Sequence, residues 1–266
     1  MQNHRIKPHT AAWYDRLSRL QTGYYYPWHS SISSGNGDQA YLELVMQYIN
    51  KDKDVLEVGC GHGEQALDLS PYCRSLVAYD RVPGYIELAQ AGAQQRGIRN
   101  VSFLCADSSI RANLKSRIPA EPNSFDVLIS HMGPLHWVED ARRVARPGAV
   151  LIQLNPLETH PPEWNLLLPD ELRLPTTNGQ TTRAVVERRL ALGGLCLHSC
   201  WTFDVPEYLP NAYEFYKLLS WGYTVEEVPP WEAVQEKLEG IYRDHTSPDG
   251  LVIPHRRLLW MAILEN

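Results

Sequence analysis

Three glycines spaced two positions apart are the most informative feature of this 266-residue sequence. They follow an apolar run at 54–58, which predicts a buried strand, and they precede residues 64–69, which resemble the start of a helix. A strand that ends in glycines and opens a helix presents bare backbone N–H groups to a ligand, as open α/β sheets do for adenosine-bearing cofactors. The glycines are Gly59, Gly61 and Gly63.

The spacing of these glycines narrows the choice of cofactor. A dinucleotide fingerprint has the pattern G-x-G-x-x-G, with the helix N-terminus directed at a pyrophosphate. This chain has G-x-G-x-G instead, and Glu57 stands two residues before the first glycine. The spacing therefore argues against a nicotinamide-dependent dehydrogenase.

Asp80 is the next residue whose type and place suit cofactor chemistry. It ends the second predicted strand, where a carboxylate can accept hydrogen bonds from both hydroxyls of a ribose. The alternative is a helix N-cap, a position that aspartate favours in any protein. We predict that Asp80 binds a ribose.

Two histidines, His131 and His136, follow the fourth predicted strand. Imidazole titrates near neutral pH, so both are candidates for a general base. Each is equally compatible with a structural polar residue on a loop.

Five short apolar runs alternate with helical patterns, which predicts a parallel, doubly wound α/β sheet with right-handed crossovers. Residues 155–182 are proline-rich and aperiodic, which predicts a substrate-side insert. A helix at 182–192, a strand at 195–203, two helices within 207–245 and a closing strand at 257–264 are expected after it. The five predicted strands are 54–58, 75–80, 101–105, 125–130 and 149–154.

These segments together resemble the class I S-adenosylmethionine (SAM)-dependent methyltransferases. The glycine loop with Glu57 resembles their motif I, and residues 80–89 resemble the segment after their second strand. Residues 141–152 resemble their R-V-L-R-P-G-G-x-L stretch, which is a helix end, a turn and the fifth strand. The resemblance implies a Rossmann-like, mostly parallel seven-stranded sheet with an antiparallel last strand and a helical or loop insert after strand five.

The resemblance also implies roles for individual residues. Asp80 would bind the ribose, Asp107 would meet the adenine amino group and Arg81 would border the adenine. Glu57 suits SAM, which has a cationic sulfonium and an amino-acid tail in place of a diphosphate. His131 and His136 lie where this family lines the methyl-transfer site, and they are the predicted catalytic residues. The residues expected to bind SAM, and its product S-adenosylhomocysteine, are Glu57, Gly59, Cys60, Gly61, Gly63, Asp80, Arg81, Asp107, Ser108 and Ser130.

Net charge and cysteine usage limit the class of partner. A net charge of −6 argues against a surface built to neutralise nucleic acid, and the arginine clusters at 142–146 and 183–189 fit solvated helix faces. We therefore predict methyl transfer to a small-molecule acceptor. An RNA- or protein-directed methyltransferase and a non-catalytic SAM- or S-adenosylhomocysteine-binding protein are the alternatives.

The five cysteines are scattered through apolar segments, which predicts free thiols in a reducing compartment. No second Cys/His pair stands at zinc-site spacing, so no metal is expected. The sequence has neither an apolar leader nor a run of about 18 apolar residues, which predicts a soluble, cytoplasmic protein without a membrane partner.

One compact domain with three consecutive parts is the expected organisation. Residues 1–50 are predicted to form an N-terminal helical lid segment, rich in aromatic residues. Residues 51–154 are predicted to form the SAM-binding Rossmann-like core. Residues 155–266 would complete the sheet and carry the substrate-side insert.

Overall fold

The computed structural model describes residues 6, 10–109, 117–174 and 179–265. Its helices are α1 (Ala11–Leu20), α2 (Asp38–Tyr48), α3 (Glu64–Leu69), α4 (Pro83–Gln95), α5 (Val138–Val144), α6 (Thr182–Leu192), α7 (Ala212–Ser220) and α8 (Trp231–His245). Its strands are β1 (Ser31–Ile32), β2 (Asp54–Val58), β3 (Ser75–Asp80), β4 (Val101–Cys105), β5 (Phe125–His131), β6 (Ala145–Pro156), β7 (Leu197–Leu209), β8 (Thr246–Ser247) and β9 (Gly250–Ile263). Short 3₁₀ turns occur at Ser70–Tyr72, Glu163–Leu167 and Asp170–Leu172.

The described residues form two compact units. One unit draws on Met1–Asn36, Glu158–Gly179 and Asp204–Arg256. The other draws on Gly37–Leu157, Gln180–Phe203 and Arg257–Asn266, and we call it the sheet unit. Helix α2 therefore belongs to the same unit as the glycine loop, although it lies within the predicted lid segment.

The sheet unit contains the predicted α/β architecture. Its strands follow the order β7-β9-β6-β5-β2-β3-β4. Strand β2 pairs in parallel with β3 and β5, β3 pairs in parallel with β4, and β5 pairs in parallel with β6. Strand β9 is antiparallel to β6. The prediction of a mostly parallel sheet of seven strands with an antiparallel last strand is confirmed. Strands β1 and β8, of two residues each, belong to the other unit.

Successive residues of the central strands enter two different hydrophobic clusters, because side chains alternate between the faces of a sheet. Val55 packs in a cluster with residues of α2, α3 and α4, whereas Leu56 packs in a cluster with residues of α5 and α6. Both faces are therefore covered by helices, as a doubly wound sheet requires. Because these strands are buried on both faces, they are continuous apolar runs in the sequence and could be predicted from it.

Strand ends differ from the predictions where the strands are half-exposed. Strand β7 continues to Leu209, and most of its residues are exposed or half-buried. Strand β9 begins at Gly250, seven residues before the predicted start at 257. A half-exposed strand has no continuous apolar run, so hydrophobicity does not mark its limits.

The other unit has its own apolar core, built from α7, α8 and the 3₁₀ turn Glu163–Leu167. Its N-terminal aromatic residues pack around Trp221, whose ring centroid lies 4.8 Å from that of Trp13 and 5.0 Å from that of Tyr26. A buried carboxylate, Glu207, accepts hydrogen bonds from Trp28 (3.2 Å) and from the Ser30 hydroxyl (2.7 Å).

Within the described residues, no helix is long and apolar enough to cross a bilayer.

Candidate active site at the glycine loop

All three loop glycines have left-handed backbone conformations, with φ of 71° at Gly59, 54° at Gly61 and 84° at Gly63. Residues with a Cβ seldom adopt this conformation, so the alternating glycines are needed to form the loop. The N–H groups of Gly59 and Cys60 both donate to the carbonyl of Tyr79, at 2.9 and 3.1 Å. The loop is thereby attached to the end of the neighbouring strand β3.

Close packing adds a second requirement for glycine at the end of the loop. A Cβ on Gly63 would lie 2.6 Å from Cβ of Ala89 and 2.8 Å from Cε1 of Phe103. Helix α4 and strand β4 therefore approach the start of α3 closely. No other residue fits there without displacing both neighbours.

Asp80 lies directly against the loop. One carboxyl oxygen accepts a hydrogen bond from the N–H of Gly61 (3.0 Å), and the other accepts one from the N–H of Val82 (2.9 Å). Burial raises the pKa of Asp80, although these backbone hydrogen bonds oppose the effect. Asp80 is not the N-cap of α4, because Val82 occupies that position. A carboxylate is thus held where β3 meets the glycine loop.

Glu57 is the other acidic residue of the loop region, and it is 2% exposed. Its Oε2 is buried and makes no hydrogen bond within the described part of the chain. Burial, together with the charge of nearby Asp80, raises the pKa of Glu57 to about 8. A buried carboxyl without a partner is costly, and a cationic ligand beside it would relieve that cost. This observation fits SAM, which is cationic.

Cys60 stands between these two acids in the loop. Its thiol is mostly buried and lies 3.7 Å from the Gly61 carbonyl. Burial and the charges of Glu57 and Asp80 raise the pKa of this thiol. Its contribution to the site is therefore the backbone conformation rather than a reactive sulfur.

Arg81 and Asp107 are brought together across β3 and β4. Arg81 Nε lies 3.8 Å from a carboxyl oxygen of Asp107, whose other oxygen accepts a hydrogen bond from the Ser109 N–H at 2.8 Å. Burial opposes ionisation of Asp107, but the Ser109 hydrogen bonds and the Arg81 charge outweigh it and lower the pKa. The two residues expected around the adenine thus form one charged pair.

Ser108 connects this pair to His136. Its hydroxyl lies 2.8 Å from the Tyr79 hydroxyl and 3.1 Å from Nε2 of His136. Burial lowers the pKa of His136, partly offset by the charge of Asp107. His136 is therefore hydrogen-bonded on the side of the site where Asp107 and Ser108 lie.

His131 has different neighbours. Its Nε2 lies 2.8 Å from a carboxyl oxygen of Asp38, the first residue of α2. The Tyr41 ring lies 5.2 Å from the His131 ring, and the Tyr41 hydroxyl accepts a hydrogen bond from Gln65 at 2.8 Å. Burial and the charge of Glu57 raise the pKa of Tyr41. His131 is thus connected through Tyr41 to the acidic end of the glycine loop.

The turn after β5 is held rigidly against the loop. Ser130 is fully buried and donates its hydroxyl hydrogen to the Val58 carbonyl at 2.8 Å. The side-chain amide of Gln153 donates to the carbonyls of Gly133 (2.9 Å) and Pro134 (3.1 Å). A Cβ on Gly59 would lie 3.0 Å from Cδ of Pro134. Gln153 therefore positions a turn that contacts the glycine loop.

Sequence reasoning missed Asp38, Tyr41 and Gln153. Gln153 could have been noticed in the sequence, because it is a polar residue inside the apolar run of β6. Asp38 and Tyr41 had none, because they precede the motif by some twenty residues and belong to an ordinary amphipathic helix. Within the described residues, no group of three or more potential ligands could hold a metal ion.

Comparison with known proteins relates the segment that contains the glycine loop to a described family. The family described as a methyltransferase domain matches residues 55–148. The chain is 28% identical over 117 residues to the uncharacterized methyltransferase YcgJ of Bacillus subtilis, a match covering 44% of this chain and 43% of that protein. It is 33% identical over 132 residues to the 2-heptyl-1-hydroxyquinolin-4(1H)-one methyltransferase of Mycobacteroides abscessus, covering 48% of this chain and 55% of that protein. The chain therefore spans about half the length of these two relatives.

The fold has a solved counterpart over nearly the whole chain. A functionally unknown protein from Deinococcus radiodurans R1 matches with a TM-score of 0.63 at 20% identity. The match covers 94% of this chain and 98% of that protein, and it shows a shared fold.

Proposed function

We propose that the protein is a class I methyltransferase that transfers the methyl group of SAM to a small-molecule acceptor, and the match of residues 55–148 to a methyltransferase domain supports this proposal. The observation that carries the proposal is the buried, unpartnered carboxyl oxygen of Glu57 beside a loop of three left-handed glycines. A neutral or anionic ligand would leave that carboxyl as costly as before. A cationic ligand would stabilise its charged form.

Residues at the ends of three strands, β2, β3 and β4, would each contact a different part of SAM. Asp80 would accept hydrogen bonds from the ribose, and Arg81 with Asp107 would flank the adenine. Glu57 would face the positively charged part of the ligand. When bound, SAM supplies a methyl group already activated by its positive sulfur, so the protein contributes placement and the exclusion of water.

The arginine clusters support a small acceptor rather than RNA. Most of these side chains are already paired with carboxylates and so contribute little free positive charge for phosphate contacts. The pairs are Arg143 with Asp140, Arg146 with Asp54 and Asp126, Arg183 with Glu187, and Arg189 with Glu139. The relative in Mycobacteroides abscessus acts on a hydroxyquinolone, and this compound is the first acceptor to test.

Calorimetric titration with SAM tests the cofactor assignment. Gly61→Val distorts the loop, and Asp80→Ala removes one or two charge-assisted hydrogen bonds, so each variant should weaken binding about 10- to 100-fold. Asp80→Asn keeps the shape and should fall between Asp80→Ala and the unchanged protein. Asp68→Ala is the matched control, because Asp68 is an exposed acid in α3 that pairs only with Arg96 among the contacts described. An unchanged dissociation constant in Asp80→Ala would refute the site.

Transfer of labelled methyl from SAM to a panel of small acceptors tests the reaction. SAM binding without loss of label to any acceptor would favour a non-catalytic SAM-binding protein. Retention of RNA at low salt that disappears when Arg142 and Arg188 are replaced would favour an RNA-directed enzyme.

A cytoplasmic location is part of the proposal. All five cysteines are free, which suits a reducing compartment. Fractionation of cells that produce the protein, with trapping of thiols by alkylation, would test this. Recovery of the cysteines in oxidised form would contradict it.

A further inference from the structure

Asp38 and His131 form a pair whose proton arrangement follows from their chemistry. Nε2 of His131 lies 2.8 Å from the Asp38 carboxyl, and an ionised carboxylate can only accept hydrogen bonds. The proton therefore lies on Nε2, and neutral imidazole then has its lone pair on Nδ1. Within the described part of the chain, Nδ1 makes no hydrogen bond. A histidine with one nitrogen bound to a carboxylate and the other open is arranged to accept a proton.

The pair lies beside the glycine loop rather than on a remote surface. Tyr41 contacts the His131 ring, and the charge of Glu57 acts on Tyr41. Tyr41 in turn accepts a hydrogen bond from Gln65 in α3, the helix that the loop opens. The same helix α2 thus supplies both Asp38 and the aromatic side chain against which His131 lies.

The backbone after His131 is constrained in a way that fixes its direction. Met132 has φ of 59°, a left-handed conformation that is uncommon for a residue with a long side chain. Gly133 follows, where a Cβ would lie 2.3 Å from the Ser130 hydroxyl oxygen. The Gln153 amide holds the carbonyl of Gly133. Strain of this kind persists only where surrounding contacts enforce it, and it is frequent at functional sites.

His136 does not share this arrangement. Its Nε2 contacts the Ser108 hydroxyl, which also contacts Tyr79. Its hydrogen bonds therefore join it to the residues expected around the adenine. The sequence offers no reason to prefer either histidine as a base, and their different hydrogen-bond partners now distinguish them.

We propose that His131 accepts the proton of the methyl acceptor and that Asp38 is its positioning residue. This inference rests on the proposed function, and it implies an acceptor whose nucleophilic atom carries hydrogen, as O–H or N–H. In the step, the acceptor atom forms a bond to the methyl carbon while the methyl–sulfur bond breaks and its electron pair remains on sulfur. The acceptor proton moves to Nδ1 of His131, and the imidazolium then releases a proton to solvent.

Carbethoxylation by diethylpyrocarbonate tests the arrangement without an acceptor, because this reagent attacks the unprotonated nitrogen of imidazole. Peptide mass mapping of the intact protein should show faster modification at His131 than at His136. At about pH 8, where imidazole is unprotonated in both proteins, Asp38→Asn should slow the reaction at His131 about threefold, because the ring loses the half-exposed carboxylate that orients it and increases the nucleophilicity of Nδ1. Asp38→Glu should restore the rate. Glu43→Gln removes a charge from the same helix at an exposed position and should change nothing.

Saturating SAM gives the second readout. It should slow modification of His131, because the proposal places this histidine at the methyl-transfer site. If calorimetry shows SAM binding while the His131 rate is unaffected by SAM, the inference is wrong and the proposed function stands. An equal His131 rate in the unchanged protein and in Asp38→Asn overturns the positioning role of Asp38. Absence of SAM binding would refute the proposed function itself.

Discussion

Replacing Glu57 with glutamine keeps the size of a buried side chain and removes its titrating proton. In the folded protein, burial and the charge of Asp80 raise the pKa of Glu57 from 4.5 to about 8. In the unfolded chain the carboxyl has its ordinary pKa. Folding between these two values therefore requires the carboxyl to take up a proton.

The size of the effect follows from this difference. Each pH unit corresponds to about 1.4 kcal/mol. The cost to folding is absent below the unfolded pKa, reaches roughly 3 kcal/mol at pH 7 and levels off near about 5 kcal/mol above pH 8. The sign is that of a carboxyl with a raised pKa, so its contribution to stability falls as pH rises. Because Glu57 is 2% exposed, solvent screening does not reduce this cost appreciably.

Urea unfolding without SAM, at about pH 5, 7 and 9, is the assay. Glu57→Gln should match the unchanged protein within about 1 kcal/mol at pH 5, and it should be more stable by roughly 3 kcal/mol at pH 7 and about 5 kcal/mol at pH 9. The same variant should bind SAM more weakly, since glutamine cannot offer a negative charge. Glu87→Gln, at an exposed position of α4, is the control for removing a carboxyl.

Two outcomes would refute this reasoning. One is a stability difference between Glu57→Gln and the unchanged protein that does not vary with pH. The other is an unchanged protein that is the more stable of the two at pH 9. Either result would mean that Glu57 is paired or hydrated in the fold.

Two further predictions concern packing at the loop. Gly63→Ala should destabilise the fold by about 3 kcal/mol, because the new Cβ adds left-handed strain and collides with α4 and β4. Gly97→Ala, also left-handed but with open space around its Cβ, should cost only about 1 kcal/mol. Thermal unfolding compares the two variants, and equal losses would show that contact with α4 and β4 contributes nothing. Gln153→Leu leaves the indole N–H of Trp137 and two carbonyls without partners, so denaturant unfolding should show a loss of about 3–5 kcal/mol, against little change for exposed Gln90→Leu.

The fold was predictable because its central elements are locally encoded. Strand β2 is buried on both faces, so it reads as an apolar run, and the glycines after it adopt conformations that other residues avoid. Strand β7 was harder to delimit because its residues are largely exposed or half-buried. The division into two units was not predictable, since each unit collects three separated stretches of chain.

The candidate site was predictable only where its residues follow strands. Asp80, Asp107 and His131 could be proposed as site residues because parallel strands place their carboxyl ends at one edge of the sheet. Asp38 was not found, because its contact with His131 joins residues 93 positions apart. Hydrophobic periodicity reports burial of a helix face and does not report which side chain a polar residue at the helix start will meet.

The sequence by itself determined the left-handed glycine loop, the order of strands and helices around it and the acidic residues at the strand ends. These depend on backbone conformation and burial, which act over a few neighbouring residues. Only the tertiary structure decided that Glu57 has a buried oxygen without a partner, that His136 bonds to Ser108 and that His131 bonds to Asp38. Those features depend on how distant segments pack across the sheet, and packing sets the local dielectric, the hydrogen-bond partners and hence the chemistry of each group.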